Sequence, residues 1–406
     1  METTEKLPSS WKKTFITLWI GCFMTGLNFS MTMPFMSLYI ETLHPYGKFE
    51  LNLYSGLAFA VTYLAQAIVS PIWGNLADRK GRKLMCLRAA GVMTFTIFAV
   101  GLVHHAMTII ILRFVQGAFS GYINNATAFM ASETPHSRSG SVMSNMMTAS
   151  VTGNLIGPLV GGLLAGWAGY RVTFFVCGAM MGIVFLLTLF NTKEHFTPVE
   201  ATKMRPIKEI FATLENQKLI VVMFITTLFV QAALMSIAPI ISLLVKELMH
   251  GQGNVSFVSG IVAAMPGFGT LLVASRLGVK MDRIGPLKIL VIGLAAATFV
   301  FIPMYFVSSP WSLGMWRFLL GIANAALMPA VQTLLTISVP DEAFGRIFSY
   351  NQSFQAAGSM IGAVLGSIIS GLFDYQVVFL VTACLMLCDL LLVWSVGSPF
   401  KKELKA

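Results

Sequence analysis

Long apolar runs, each closed by polar residues or by Gly and Pro, follow one another along almost the whole chain. They fall at approximately 14–40, 52–76, 84–106, 108–132, 142–166 and 172–190, then at 218–245, 256–278, 287–307, 311–337, 346–372 and 376–396. A hydrocarbon core about 30 Å thick takes about 20 apolar residues of helix to cross. Twelve such runs predict twelve membrane spans, numbered here in chain order, and an all-α polytopic membrane protein.

The only long polar stretch lies between the two sets. Asn191 to Gln217 carries Lys193, Glu194, Glu200, Lys203, Arg205, Lys208, Glu209 and Glu215. It divides the chain into an N-terminal half (1–190), a linker (191–217) and a C-terminal half (218–406). Composition agrees with this reading. Of 406 residues 56% are hydrophobic and 11% charged, where soluble domains carry about 25% charged residues, and mean hydropathy is +0.76. So few polar residues cannot cover the surface of a soluble enzyme, a nucleic-acid binder or a disordered chain, despite the net charge of +10.

Charge placement sets the orientation. All but five of the 27 Lys and Arg fall in the tails and in alternate loops with their adjoining helix ends, on one side of the membrane. Lys48, Arg171 and Lys246 fall on the other side, and Arg113 and Arg317 within spans. The positive-inside bias makes the basic side cytoplasmic, with both termini there. The basic balance reflects topology, not a nucleic-acid partner. Cys22, Cys86, Cys177, Cys384 and Cys388 all lie in apolar stretches, so they are expected to be buried small apolar residues without a disulfide framework. The first apolar run is long and lacks a small-residue cleavage site, so it is expected to be a span and not a signal peptide.

The halves repeat one another. At an offset of 204, Asp78, Arg79, Gly81, Arg113 and Gly117 meet Asp282, Arg283, Gly285, Arg317 and Gly321. At 205, Pro34, Ser37, Gly157, Gly161 and Tyr170 meet Pro239, Ser242, Gly362, Gly366 and Tyr375. Six spans separate the copies, an even number, so the repeats are parallel about an axis along the membrane normal. Such a pair leaves a cleft that rocking can expose to each side in turn.

Three motifs carry chemistry. The loop after span 2 reads Gly74-Asn75-Leu76-Ala77-Asp78-Arg79-Lys80-Gly81-Arg82-Lys83, glycines allowing a tight turn and close helix approach beside a basic cluster. The second copy, Gly278 to Gly285, is degenerate. Span 4 contains Leu112-Arg113-Phe114-Val115-Gln116-Gly117, and an arginine there either faces protein or water or snorkels to the outer boundary. Arg317, nearer the boundary, is the stronger case for snorkelling. Span 5 carries Gly153, Gly157 and Gly161 on one helical face, with Pro158 and Gly162 beside them. Small residues permit close packing, and the proline removes a backbone donor and bends the helix. Span 11 repeats the glycines at 358, 362 and 366 but has Ala363 in place of the proline.

These motifs, in this order, resemble the major facilitator superfamily, and among its members bacterial twelve-helix multidrug–proton antiporters. The resemblance runs from span 1 through span 12 and implies two parallel six-helix repeats working by alternating access. It implies a gating loop at Gly74, Asp78, Arg79, Gly81 and Arg82, in which Asp78 locks the halves when the inner gate is shut. It implies a proton-transfer role for Arg113, and it makes Gly153, Gly157, Pro158, Gly161 and Gly162 an antiporter motif. Spans 1, 4, 7 and 10 would line the cavity, supplying Asn28, Met31, Phe35, Asn124, Asn125, Gln231, Met235, Asn324, Met328 and Gln332. Uncharged amides with flexible sulfur and aromatic surface suit varied amphipathic ligands, although helix packing and interhelical hydrogen bonds also explain such residues.

An antiporter needs a carboxylate reachable from both sides, yet spans 1, 4, 7 and 10 carry none mid-span. The candidates are Asp389 in span 12 and Glu133 at the inner end of span 4. Their competing readings are a structural hydrogen bond and a loop-edge residue. The function this favours is proton-coupled efflux of amphipathic drugs; the alternative is transport of a specific polar metabolite or sugar. No zinc-type histidine motif appears and the six histidines lie in loops or at span ends, so no enzyme is expected. No cofactor is expected, the proton being the coupling ion. The expected partners are small amphipathic molecules, protons and the lipid bilayer, without nucleic acid, and the chain is expected to function as a monomer in the cell membrane.

Overall fold

The computed structural model describes residues 9–195, 217–339 and 341–403, with backbone alone at 9–10, 71, 75, 78, 136–140, 275, 279, 282, 341–346 and 396–403. The linker charges Glu200 to Glu215 therefore lie outside the described residues, as do the side chains of Asp78 and Asp282. Twelve helical segments are long and apolar enough to cross a membrane. Eight run as single helices: Lys48–Lys80, Arg82–Val100, His136–Ala168 and Tyr170–Asn191 in the first half, and Val255–Ile284, Pro286–Met304, Asp341–Leu372 and Val377–Glu403 in the second.

The other four spans, 1, 4, 7 and 10, are broken. Span 1 passes from Ser9–Thr32 through a 3-10 turn, Met33–Phe35, into Met36–Leu43. Span 7 breaks between Gln217–Ile237 and Ile241–Leu248. Each break holds one of the paired prolines, Pro34 and Pro239, which lack an N–H and clash with the preceding turn. Span 4 breaks between Ala106–Phe119 and Tyr122–Ser132 at Gly121, whose φ of +110° is open to glycine at little cost. Span 10 breaks between Pro310–Asn324 and Leu327–Ser338, where Pro329 cannot donate to the Ala325 carbonyl.

Within each half the same neighbours pack: span 1 on spans 5 and 6, span 7 on 11 and 12, span 3 on 6, span 9 on 12. The halves meet through span 2 on span 11 and span 5 on span 8. Large apolar side chains such as Phe95, Trp167, Phe299 and Trp394 are left exposed, as a surface facing lipid requires. Cys384 and Cys388 join them, correcting the expectation that all five cysteines are buried; Cys22, Cys86 and Cys177 are. A thiol is apolar enough to face lipid as readily as a core.

Candidate transport pathway

The halves close against each other at the end of the bundle opposite the basic loops, called here the far end. Gly56 of span 2 lies against Ala363 and Ser367 of span 11, and Gly260 of span 8 lies against Pro158 and Gly162 of span 5. These contacts are one contact repeated, since Gly56 and Gly260 correspond at the offset of 204. A Cβ on Gly260 would run into the Pro158 carbonyl, so helices this close require glycine.

Polar contacts follow the same symmetry. The Tyr170 hydroxyl shares a 3.0 Å hydrogen bond with Ser256 Oγ, while Asn52 Nδ2 donates to the Tyr375 hydroxyl at 3.5 Å. Asn52 also accepts from Ser370 Oγ at 2.9 Å. Ser37 Oγ donates to the Pro239 carbonyl. Lys246 and Glu41 form an ion pair at 2.7 Å, and Lys48 and Asp374 one at 3.5 Å. Tyr170, Tyr375, Ser37 and Pro239 were visible in the sequence as repeat positions. Asn52 and Ser256 were not, because the two halves use different residues there.

The basic end is open between the halves. A Cβ at Gly74 would meet nothing within 4 Å, nor would one at its counterpart Gly278. A cavity of about 170 Å³ lies there, lined by spans 2, 3 and 4 and, from the other half, by Gln352. Its wall includes Gln66, Trp73, Gly74, Arg82, Arg88, Asn124 and Asn125. Arg88 lies over the Trp73 ring at 3.8 Å and donates to the Ser120 carbonyl. A second cavity of about 350 Å³ is lined by Pro329, Gln332, Thr333, Thr336 and Phe348.

The loop after span 2 and its second copy after span 8 each form a tight turn. Gly81 has φ +93° and Gly285 φ +88°, and each N–H donates to the carbonyl four residues back, Ala77 or Met281. The degenerate copy thus keeps the backbone geometry. Arg79 is exposed at the end of span 2. In the first half Glu194 completes the turn: its carboxylate accepts from the backbone N–H of Arg82 at 2.6 Å and of Lys83 at 2.9 Å. Lys83 Nζ in turn donates to the Leu189 and Thr192 carbonyls at the end of span 6. Glu194 read as linker in the sequence; the missed signal is that span 3 has no acidic residue in its own first turn, leaving its orphan N–H groups to an outside acceptor.

Arg113 does not snorkel. It is 2% exposed, its Nε donates to the Ala58 carbonyl at 3.3 Å and its Nη1 to Gln116 Oε1 at 2.9 Å. Arg317 repeats the first bond, Nε to the Val262 carbonyl at 3.0 Å. Both lie where Gly117 and Gly321 bring span 4 onto Thr62 and span 10 onto Pro266. With the helices that close, a guanidinium reaches a neighbouring backbone carbonyl sooner than the head groups.

The span 5 motif has two faces. Gly153, Gly157 and Gly161 lie on span 1, against the backbone of Phe23, Leu27 and Met31, while Gly162 faces span 8. Several cavity candidates are taken up by this packing. Asn28 is buried and donates to the Cys177 carbonyl at 2.6 Å, which places it in the seam between spans 1 and 6 and not on the cavity wall. Met31 and Phe35 are buried against Gly161. Gln231 is buried and accepts from Ser359 Oγ at 3.5 Å. Met235 Sδ accepts from the Tyr63 hydroxyl across the halves at 3.4 Å. Asn324 and Met328 are half-buried, and Asn124, Asn125 and Gln332 line the open cavities.

The two carboxylates differ. Glu133 is held at the basic end by His195, whose backbone N–H and Nδ1 lie 2.7 and 3.0 Å from its oxygens. Asp389 is fully buried, and only one of its oxygens has a partner, Thr226 Oγ1 at 2.9 Å.

The sequence model of the Major Facilitator Superfamily matches residues 18–248 and 223–406. The chain belongs to the major facilitator superfamily. Within it, the multidrug resistance protein MdtG of Citrobacter koseri is 45% identical over 389 residues, 96% of each chain, and that of Escherichia fergusonii 45% over 386 residues, 95% of each. Two solved superfamily structures share the fold at 15% identity. One is a bacterial homologue of the human lysosomal transporter Spinster, with a TM-score of 0.79 over 98% of this chain and 99% of that one. The other is the nucleoside transporter NupG, with a TM-score of 0.78 over 94% and 99%. The chain is a multi-pass membrane transporter of this superfamily, not an enzyme.

Proposed function

We propose that the protein exports amphipathic drugs from the cytoplasm in exchange for protons, by alternating access. The observation that carries the reading is the 45% identity to multidrug resistance proteins over 96% of the chain. The seam geometry supports the mechanism. Contacts made by repeat-related residues close the far end while the basic end stands open, as one state of a rocking pair requires. The bias of Lys and Arg makes the basic end cytoplasmic, so this is the state that loads from the cell interior. Rocking separates the far-end contacts, those of Gly56 and Gly260 among them, and brings the loops after spans 2 and 8 toward the opposite half.

The open wall suits the proposed cargo. Beside the Trp73 ring, one face of which carries the Arg88 guanidinium, Asn124, Asn125 and Gln66 offer donors and acceptors, and none commits the wall to one rigid pattern. Pro158, at the closed far-end seam, helps keep that seam tight to protons while the cavity is loaded.

The test is ethidium transport in proteoliposomes under an imposed pH gradient. Export predicts accumulation on the side that the far end faces, driven by the gradient and collapsed by a protonophore. Uptake of a sugar or other polar metabolite without drug transport would replace this reading with the metabolite carrier. Impermeant thiol reagents check the orientation: cysteines at Lys48 and Gly251 label in sealed cells, those at Lys80 and Lys203 do not.

A further inference from the structure

Among the described residues, the one fully buried carboxylate lies deep in the second half. Asp389 is on span 12, which packs on spans 7, 9 and 11. Its side chain is 0% exposed. Oδ1 accepts from Thr226 of span 7, while Oδ2 is buried with no hydrogen-bond partner. A carboxylate in this position is costly when charged and far less so when it carries a proton.

No cation offsets the charge among the described residues. On span 7 the charged groups are Lys218, exposed at the basic end, and Lys246 and Glu247 at the far end, Lys246 being paired with Glu41. On span 9 the group is Lys288, exposed at the basic end. Span 11 contributes the half-exposed Tyr350, and Asp341, Glu342 and Arg346, whose side chains lie outside the described residues. Span 12 itself adds Cys384 and Cys388, both turned outward.

Packing does not require an acid here. The offset of 205 sets Val184 at the position of Asp389 and Gly21 at that of Thr226. In the first half the Tyr122 ring fills the space beside Gly21, and its hydroxyl pairs with Thr188 at 2.8 Å. Neutral hydroxyls pair there, although Asn28 Oδ1 elsewhere in that seam is also buried without a partner. The second half instead has a carboxylate with one unsatisfied oxygen.

Further polar groups of spans 7 and 11 lie on the neighbouring helix faces. Thr227, next to Thr226, donates to Asn351 Oδ1 of span 11 at 2.7 Å. The neighbour of Asn351, Gln352, lines the cavity between the halves.

We propose that Asp389 is a proton-binding site of the exchange cycle and Thr226 its positioning residue; the proposal rests on the proton-coupled reading above. In the state described, with the far end closed, Asp389 carries the proton, and hydration of the site from the cytoplasmic side, which lowers the cost of its charge, lets water take it. The O–H bond breaks, the electron pair stays on the carboxylate, and repacking of span 7 against span 12 as the halves rock restores the proton from the far side.

The experiment compares wild type, Asp389→Asn and Thr226→Val in proteoliposomes, reading ethidium binding across pH and accumulation driven by a pH gradient. Asp389→Asn is expected to bind ethidium with a flat pH profile and to lose accumulation about tenfold or more. Thr226→Val is expected to accumulate ethidium with its pH profile displaced. Full gradient-driven accumulation by Asp389→Asn overturns the proposal and leaves proton coupling standing. Wild type that ignores the gradient overturns the proton-coupled reading, and the proposal with it. Should Asp389→Asn not reach the membrane, Thr226→Val decides, and an unchanged pH profile overturns the proposal.

Discussion

Glu41 and Lys246 occupy the same position in the two halves and meet each other across the seam, Nζ to Oε1 at 2.7 Å. A residue beside the pseudo-twofold axis faces its own counterpart, so identical charges there would repel. With opposite signs the two form an ion pair across the closed far end, a latch that separation of the halves would break.

Glu41→Gln or Lys246→Gln is therefore expected to shift the resting population toward the far-end-open state. The pair is partly exposed, so its contribution is about 0–1 kcal/mol. The combined swap Glu41→Lys with Lys246→Glu restores the latch, because the symmetry makes the positions interchangeable. Paired spin labels at His44 and Gln252 read the far-end opening, and a swap that behaves like the single variants would remove the latch from the gating scheme.

Gly260→Val is expected to hold spans 5 and 8 apart, since its side chain meets the Pro158 carbonyl. Overpacking of this kind costs about 1–3 kcal/mol, charged here against the closed far end alone. Pro158→Ala removes no space and is expected to raise passive proton leak instead. Leak measured in vesicles separates the two, and a Pro158→Ala protein as tight as wild type would strip the span 5 proline of its sealing role.

Arg113→Lys is expected to lower transport about tenfold or more, because an ammonium cannot serve the Ala58 carbonyl and Gln116 from one planar fork. Arg317→Lys should be milder: at the position of Gln116 the second half has Leu320, and among the described residues Arg317 bonds the Val262 carbonyl alone. Gln116→Leu tests the distinction directly. Equal losses at Arg113 and Arg317, with Gln116→Leu fully active, would mean both arginines serve helix packing alone.

Glu194→Ala is expected to loosen the start of span 3 by leaving the N–H groups of Arg82 and Lys83 without their acceptor. Lost caps of this kind cost about 1 kcal/mol. Thermal unfolding in detergent should show a lower midpoint for Glu194→Ala and a smaller shift for Glu194→Gln. An unchanged midpoint for both would show that the carboxylate adds nothing to the turn.

The twelve spans, their parallel repeat and the motif loops were legible in the linear sequence because lipid imposes a local rule: each segment must be long, apolar and self-satisfied in its backbone. The prolines and glycines that break spans 1, 4 and 7 act over a single turn, so they too could be read locally. What a side chain faces is not a local property. Asn28 and Asn124 are both in-span amides, yet one closes the seam with span 6 and the other lines the open cavity, because helix rotation is set by packing on other helices. Arg113 reached a carbonyl instead of the membrane surface for the same reason, Gly117 having drawn span 2 within range. The tertiary structure alone decided which residues meet: Glu41 and Lys246, and Gly56 and Ser367, across the halves, and Asp389 and Thr226 within the second half. Those pairings come from packing helices far apart in the chain, within a half or between the halves, and no single span contains both partners.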